Sequence, residues 1–189
     1  MKAVVASGNE HKLRELEAAL PGWELALLAD RNFPPEDGPT YYANALGKAR
    51  FGRSRAPADA WVLGEDSGIE VDGLGGAPGV ESARWAAGAP VERMLAELGG
   101  LDEPSRRARY VCELVALSPQ EEEVRGTGTL EGRVASAPSG SDGFGYDPIF
   151  VPEGESQTVA ELGNAWKRRN SHRARAAAAL GAAVRARAY

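Results

Sequence analysis

The 189-residue sequence contains one cysteine, Cys112, and two histidines, His11 and His172. A single cysteine cannot form an intramolecular disulfide or a cysteine-based metal cluster. Two histidines are too few for a histidine-rich zinc site. A metal ion, if one is bound, therefore has to be held by carboxylates, which suit hard cations such as Mg²⁺.

Long apolar runs are also missing. No stretch approaches the ~18 apolar residues of a membrane-spanning helix, and the N-terminal segment lacks the apolar stretch and cleavage site of a signal peptide. With 22 basic and 27 acidic residues the formal charge is −5, which argues against sequence-independent DNA binding. We therefore expect a cytoplasmic protein whose partners include neither a membrane nor a nucleic acid.

The pattern of apolar and polar residues predicts a mixed α/β fold, in which helices flank a central β-sheet. We expect residues 1–189 to form a single domain of two lobes with a substrate cleft between them, since no linker or repeat interrupts the chain. Strands are predicted at 2–6, 23–28, 61–64, 69–72, 109–117 and 124–134, with a short one after 146–150. Helices are predicted at 13–20, about 41–55, 91–98 and 171–187.

A glycine-containing turn between the first strand and the first helix is the first candidate site. Its sequence is Ser7-Gly8-Asn9-Glu10-His11-Lys12. Backbone N–H groups at a helix start favour a phosphate, and Lys12 adds a positive charge in the first helical turn. The segment lacks the GxxxxGK(S/T) pattern of a Walker A loop. A plain strand–turn–helix junction with a solvated lysine is an equal alternative.

Two adjacent carboxylates, Glu65 and Asp66, come where a buried strand is predicted to end, and a turn at Ser67-Gly68 follows. Strand ends of α/β sheets commonly carry sites, and carboxylates there can hold Mg²⁺ and orient a water molecule. Glu36, in a loop rich in Pro, Asp and Gly, is a third carboxylate that could fold over to the same place. The alternative is a polar turn that Asp66 caps.

The glycine-rich loop 143–148 contains two aromatic residues and an acid, Phe144, Tyr146 and Asp147, with Gly145 between them. Aromatic rings can stack on a nucleobase, and an acid can accept hydrogen bonds from its N–H groups. The alternative is a hydrophobic anchor for the loop, because aromatic residues often serve packing.

Three basic residues, Lys167, His172 and Arg173, lie at or near the predicted start of the C-terminal helix. Positive charge is unfavourable at a helix start, and a bound anion or keto oxygen would compensate for it. The alternative is a solvated basic surface. Together the four segments describe an enzyme that acts on a nucleoside triphosphate.

In this order, the four segments resemble the inosine triphosphatase family, also described as dITP/XTP pyrophosphatases. The family patterns are T/S-x-N-x-x-K, D/E-D-S-G-L/I-x-V-D-x-L-x-G-x-P-G-x-x-S-A-R, F-G-Y/W-D-P and S-H-R-x-x-A. The chain has SGNEHK, EDSGIEVDGLGGAPGVESAR, FGYDP and SHRARA in their places. The resemblance extends from residue 2 to about residue 185.

The resemblance implies a homodimeric enzyme of mixed α/β fold that uses Mg²⁺ to hydrolyse ITP, dITP and XTP to the monophosphate and pyrophosphate. Such an enzyme would remove deaminated purine nucleotides from the nucleotide pool. Two other functions stay open: a Maf-type pyrophosphatase for modified pyrimidines or dTTP, and a non-catalytic nucleotide sensor. The FGYDP and SHR segments argue against the first, and the intact Glu65-Asp66-Ser67 argues against the second.

The resemblance also implies a role for each candidate residue. Asp66 would be the general base and a metal ligand, with Glu36 and Glu65 in the same metal site. The sequence departs from the family pattern at Ala43, where many relatives carry an acid. Ser67 would contact the substrate. The triphosphate would be bound by Ser7, Gly8, Asn9, Glu10, His11 and Lys12, and the base and sugar by Phe144, Gly145, Tyr146 and Asp147. The base or the phosphates would also contact Lys167, His172 and Arg173.

Overall fold

The structure, a computed structural model, describes residues 1–30, 32–86 and 88–187. Its strands are β1 Lys2–Val5, β2 Glu24–Leu27, β3 Trp61–Val71, β4 Arg107–Leu117, β5 Glu123–Val134 and β6 Phe150–Pro152. They form one sheet in the order β2-β1-β3-β4-β5-β6. β1 pairs in parallel with β2 and β3, whereas β5 and β6 are antiparallel. The predicted mixed sheet is therefore confirmed.

Side-chain caps define the starts of several helices. Asn9 and Thr40 each accept backbone N–H groups of the first turn that follows them, and Thr158 forms a capping box with Glu161. These contacts satisfy donors that a helix start leaves without partners. The helices in the described part of the chain are α1 Glu10–Ala19, α2 Tyr41–Arg53, α3 Ser82–Trp85, α4 Pro90–Glu97, α5 Val159–Asn170 and α6 His172–Arg187.

The chain divides into two compact units, and helices cover the sheet on both faces in the first. Two successive residues of β4 show this arrangement, because successive side chains of a strand point to opposite faces of the sheet. Leu114 is buried with apolar residues of α1 and α6, whereas Val115 is buried with Ala45 and Ala49 of α2. This first unit comprises Met1–Asp66, Cys112–Gly128 and His172–Tyr189.

Glycines in the strands let these helices approach the sheet closely. A Cβ atom on Gly64 of β3 would lie 1.9 Å from the Ala45 carbonyl oxygen of α2. On Gly128 of β5 it would lie 2.1 Å from the carbonyl oxygen of His172, the first residue of α6. Larger residues at these positions would push the helices away from the strands.

The second unit has its own core on one face of its part of the sheet. Ile69 of β3, Tyr110 of β4 and Phe150 of β6 are buried there with Met94 of α4. The polar side chains Arg107, Arg109, Glu131 and Arg133, from alternate strand positions, line an open groove of about 760 Å³. The unit comprises Ser67–Val111 and Thr129–Ser171.

Two predictions about the elements are wrong. The turn expected at 65–68 is absent, because β3 continues through Glu65 and Asp66 to Val71. These polar residues remain in a strand because each has buried polar partners. The helix α5 was not predicted, and its backbone is interrupted at Gly163, where φ is 79°. None of the helices in the described ranges is both long enough and apolar enough to cross a bilayer.

Candidate active site

Glu65 and Asp66 are neighbours in β3 and point to opposite faces of the sheet. Glu65 contacts residues of α1 and α6, whereas Asp66 contacts residues of α2. The expected turn would have let both carboxylates line one site, but the strand separates them. Among the described residues no three His, Cys, Asp or Glu side chains form a cluster that could hold a metal ion. The predicted set of Glu36, Glu65 and Asp66 is thus not brought together as one ligand group.

Glu65 is held by two cations and a thiol. Its Oε2 lies 2.6 Å from Lys12 Nζ, and its Oε1 accepts hydrogen bonds from Arg173 at 3.2 and 2.9 Å and from Cys112 Sγ at 3.5 Å. Burial raises the pKa of Glu65, but Lys12, Arg173 and Lys48 outweigh burial and hold that pKa well below its ordinary value. Oε1 thus accepts hydrogen bonds, whereas Oε2 is a buried oxygen whose cation neighbour is Lys12, and metal ligation by Glu65 stays a prediction.

Arg173 connects this carboxylate to a second one. Its guanidinium also pairs with Glu15 of α1, and only 1% of Arg173 is exposed. Burial lowers the pKa of Arg173, but Glu65 and Glu15 outweigh burial and raise it. The charge is therefore permanent. His172, the first residue of α6, is buried beside Arg173 in the chain.

Asp66 faces a pair of side chains on α2. Asn44 Nδ2 donates to its Oδ2 at 3.0 Å, and Lys48 Nζ lies 3.1 Å from its Oδ1. Asn44 and Lys48 are four residues apart and so share one side of the helix. Lys48 Nζ also lies 2.9 Å from Glu36 Oε2 and donates to the Glu65 carbonyl oxygen at 2.9 Å. Three oxygens from different parts of the chain thus converge on one cation.

The protonation of this group follows from burial and charge. Burial raises the pKa of Asp66 above its ordinary value, although Lys48 and a hydrogen bond from Asn44 lower it. Burial lowers the pKa of Lys48, but Asp66, Glu65 and Glu36 outweigh burial and raise it. Asp66 is thus a carboxylate with more than the usual affinity for a proton, which suits a general base.

The turn at 7–12 is ordered by its own side chains. Asn9 Oδ1 accepts from the backbone N–H groups of His11 at 2.9 Å and Lys12 at 3.2 Å, and Ser7 Oγ accepts from Asn9 N–H at 3.1 Å. His11 is exposed, with Nδ1 3.3 Å from Arg14. Gly8 lies in the turn and Glu10 opens α1. The Lys12 ammonium contacts Glu65, so it is not the solvated lysine of the alternative reading.

A separate polar cluster lies in the second unit. Lys167 Nζ of α5 is 2.5 Å from Asp147 Oδ2 and 4.1 Å from the centre of the Phe144 ring. Phe144 N–H donates to the same oxygen of Asp147 at 2.8 Å. Lys167 and Asp147 are only 3% and 2% exposed, so this is a desolvated ion pair next to an aromatic face. Three of the predicted substrate contacts are therefore in mutual contact.

Tyr146 has a different environment from its neighbours in the loop. Its hydroxyl donates to the Ser82 carbonyl oxygen at 3.0 Å, and burial raises the pKa of Tyr146 to about 12. The side chain therefore anchors the loop, as the packing alternative expects. Gly145 before it adopts a left-handed φ of 63°, and Ser67 is half-buried in β3.

Four residues that contact Glu65, Asp66 or Arg173 were not predicted from the sequence as site residues: Glu15, Asn44, Lys48 and Cys112. Asn44 and Lys48 carried a usable signal, because they are polar residues at helical spacing among small ones. Lys48 is also one of only four lysines in the chain. Cys112 is a buried free thiol.

Comparisons with known proteins show which family the chain resembles over nearly its whole length. Residues 3–183 match the model of the Ham1 family. A dITP/XTP pyrophosphatase of Bdellovibrio bacteriovorus is 41% identical, with 93% of this chain and 94% of its own length covered. One of Opitutus terrae is 43% identical, with 95% and 97% covered. The Staphylococcus aureus Ham1 protein structure has a TM-score of 0.84 at 32% identity, with 99% and 100% covered.

A second solved structure belongs to the nucleoside-triphosphatase, or dITP/XTP pyrophosphatase, of Mycobacterium abscessus. It has a TM-score of 0.73 and 40% identity, with 95% of this chain and 97% of that chain covered. Sequence and fold therefore match the same proteins over nearly the whole chain.

Proposed function

The chain belongs to the Ham1 family, and we propose that it hydrolyses ITP, dITP and XTP to the monophosphate and pyrophosphate. The proposal agrees with the family resemblance of the sequence motifs, and the relatives that are named dITP/XTP pyrophosphatases support it. The observation that carries it is Asp66, a buried carboxylate with a raised pKa that Asn44 and Lys48 hold in place. Such a group is suited to activating water.

We propose Mg²⁺ as the metal ion, with Asp66 and Glu36 as its carboxylate ligands. The fit rests on the donor chemistry of these two carboxylates, each of which contacts Lys48 Nζ, Glu36 at 2.9 Å and Asp66 at 3.1 Å. Mg²⁺ prefers oxygen donors of this kind. When bound, Mg²⁺ would neutralise phosphate charge and lower the pKa of a coordinated water. Glu65 keeps its ion pairs with Lys12 and Arg173.

Asp66 would take a proton from the water that attacks the α-phosphorus. In the metal-free protein burial raises the pKa of Asp66 above its ordinary value, which favours proton uptake by this carboxylate. Lys12 and the N–H groups of the turn at 7–12 would bind the phosphates and stabilise the departing pyrophosphate. Glu65 would keep the Lys12 ammonium at this place through their 2.6 Å ion pair.

The second cluster would recognise the base. An ammonium has three N–H donors, so Lys167 can donate to a 6-keto oxygen while it pairs with Asp147. The Phe144 ring offers a face for stacking. Adenine carries an amino group in place of the keto oxygen, and the buried donor would then lack an acceptor. His172 and Arg173 are the other predicted donors, and Arg173 would act mainly through Glu65.

We further propose that residues 1–189 act as one catalytic domain, that the enzyme is a homodimer and that it works in the cytoplasm. The first statement is supported by β3, β4 and β5, each of which runs through both units. The other two follow from the family resemblance and from the role in cleansing the nucleotide pool.

One assay separates the proposed function from its alternatives. The purified protein is incubated with Mg²⁺ and, in parallel, ITP, XTP, dTTP or ATP, and products are identified by chromatography. We expect monophosphate and pyrophosphate from ITP and XTP. Preference for dTTP would indicate a Maf-type enzyme, and binding of ITP without products would indicate a sensor.

A further inference from the structure

Asn44 lies where the loop that carries Glu36 meets the strand that carries Asp66. It is the fourth residue of α2 and is only 5% exposed. A buried amide has to be satisfied by partners within the protein. Its two partners come from the two segments that carry the proposed metal ligands.

The first partner is the loop. Asn44 Oδ1 accepts a hydrogen bond from Gly38 N–H at 2.8 Å, and Gly38 is two residues after Glu36. A Cβ atom on Gly38 would lie 2.6 Å from Asn44 Oδ1. The absence of a side chain at Gly38 therefore allows the loop to reach the amide.

The second partner is Asp66, whose Oδ2 accepts from Asn44 Nδ2 at 3.0 Å. The orientation of the amide follows from chemistry, because Gly38 N–H requires an acceptor and the carboxylate requires a donor. Lys48 contacts the other oxygen of Asp66. Each oxygen of Asp66 is thus held by a different residue of α2, and only Asn44 is neutral.

We propose that Asn44 is a positioning residue, which sets the orientation of Asp66 and the distance to the Glu36 loop through a single amide. Its Oδ1 and Nδ2 are engaged with Gly38 and Asp66, so it acts through these two residues. The proposal rests on the proposed role of Asp66 and extends it. Because the amide carries no charge, it does not repel a cation that arrives at the carboxylate, whereas the Lys48 ammonium does.

The test compares the Asn44→Ala variant with Thr40→Ala. Thr40 Oγ1 caps the same helix by accepting a hydrogen bond from Ala43 N–H at 3.1 Å, a contact that involves neither Glu36 nor Asp66. Both variants should melt at a lower temperature than the wild type. We expect Asn44→Ala alone to lower kcat for ITP about 10- to 100-fold, with KM within about threefold, as losses of supporting hydrogen bonds at metal sites typically do.

Binding of Mg²⁺ to the nucleotide-free protein, measured by titration calorimetry, supplies a readout besides activity. We expect Asn44→Ala to weaken it about tenfold and Thr40→Ala to leave it unchanged. If Asn44→Ala does not fold, the isosteric Asn44→Asp takes its place. That variant keeps an oxygen that can accept from Gly38 N–H but replaces the Nδ2 donor to Asp66 by a second oxygen. We therefore expect kcat to fall while the contact with the Glu36 loop is kept.

A double-mutant cycle with Asp66→Asn identifies the route of the effect. If Asn44 acts through Asp66, Asn44→Ala should add little to the loss in kcat of Asp66→Asn. Additive losses, or an Asn44→Ala enzyme that differs from wild type only in melting temperature, would overturn the proposal. A fully active Asp66→Asn enzyme would instead overturn the general-base role of Asp66, and a wild-type protein that forms no product from ITP or XTP would overturn the proposed function, so these failures are distinguishable.

Discussion

Arg173 donates two hydrogen bonds to the same oxygen of Glu65, a residue 108 positions earlier in the chain. The pair is buried, and Glu15 and Lys12 complete a line of alternating charges. Removing one member of such a pair is costly because it leaves a charge unpaired in a poorly solvated place. The start of α6 is therefore tied to the strand that carries Asp66.

Asp66→Asn should lower kcat for ITP about 10²- to 10⁴-fold, the usual contribution of a general base. KM should change little. Asp30→Asn is a matched control, because Asp30 pairs with Arg55 at 2.8 Å on the surface of the same unit. Steady-state kinetics of both variants check this expectation, and an Asp66→Asn enzyme within about threefold of wild-type kcat would contradict it.

Lys167→Met should reduce the preference for ITP over ATP. It removes the donor proposed for the 6-keto oxygen, so kcat/KM for ITP should fall about tenfold or more while that for ATP changes little. Lys2→Met removes an exposed lysine and serves as the control. The ratio of the two kcat/KM values is the measurement, taken at a temperature at which circular dichroism shows the variant to be folded. An unchanged ratio would remove Lys167 from base recognition.

The ionised state of Glu65 should make stability depend on acid pH. The pKa of Glu65 is lower in the folded than in the unfolded chain. Ionised Glu65 therefore contributes to the stability of the fold above pH 4.5, the ordinary pKa, and this contribution is lost as pH falls through the pKa of the folded state. Glu65→Gln should be about 3–5 kcal/mol less stable at neutral pH and lose less stability on acidification. Urea unfolding between pH 3 and 7 measures both.

Glu81→Gln is the control for this series, since Glu81 forms an exposed pair with Arg84 and such surface pairs contribute little to stability. A Glu65→Gln protein with the acid dependence of the wild type would show that other carboxylates dominate.

The Cys112 thiol should be unreactive toward thiol reagents in the folded protein. Burial raises the pKa of its thiol well above the ordinary value, and Glu65 raises it further. Thiol labelling with a chromogenic disulfide at pH 8 should be negligible in buffer and complete in urea, since the thiolate is the reactive form. Rapid labelling of the native enzyme would contradict the buried position.

Gly128→Ala should displace the start of α6, because a Cβ there would lie 2.1 Å from a backbone carbonyl oxygen. We expect a lower melting temperature and a lower kcat/KM for ITP. Gly47→Ala is the matched control: no atom lies within 4 Å of its Cβ position, and alanine in a helix is about 0.5–1 kcal/mol more stable than glycine. Thermal melts and kinetics of both variants test this difference. Equal melting temperatures and kcat/KM values for the two variants would show that the close approach of β5 and α6 at Gly128 does not determine the position of α6.

The elements that follow from local periodicity were predictable from the sequence. Thr40 as the cap of α2 and the alternation of β5 are examples, because each depends on residues a few positions apart. β3 was cut short at Glu65, since two carboxylates in a row indicate a turn. What keeps them in a strand is Arg173, Lys12 and Lys48, whose positions only the tertiary fold determines.

The candidate site divides in the same way. Phe144 and Asp147 are three residues apart, so their contact follows from one short loop. The role of Asn44 depends on its meeting Gly38 and Asp66 at once, which no spacing in the sequence reveals. The role of Lys48 is likewise hidden, because its charge partners Glu36 and Asp66 lie on other segments.

The charges of the first unit's cluster have a consequence for how fast a nucleotide arrives. Four carboxylates, from Glu15, Glu36, Glu65 and Asp66, face the cations of Lys12, Lys48 and Arg173. A nearly balanced group projects little field into solution, so a free triphosphate is not steered toward it from a distance. This cluster therefore contributes little long-range attraction for a nucleotide, and its selection of a ligand begins at contact.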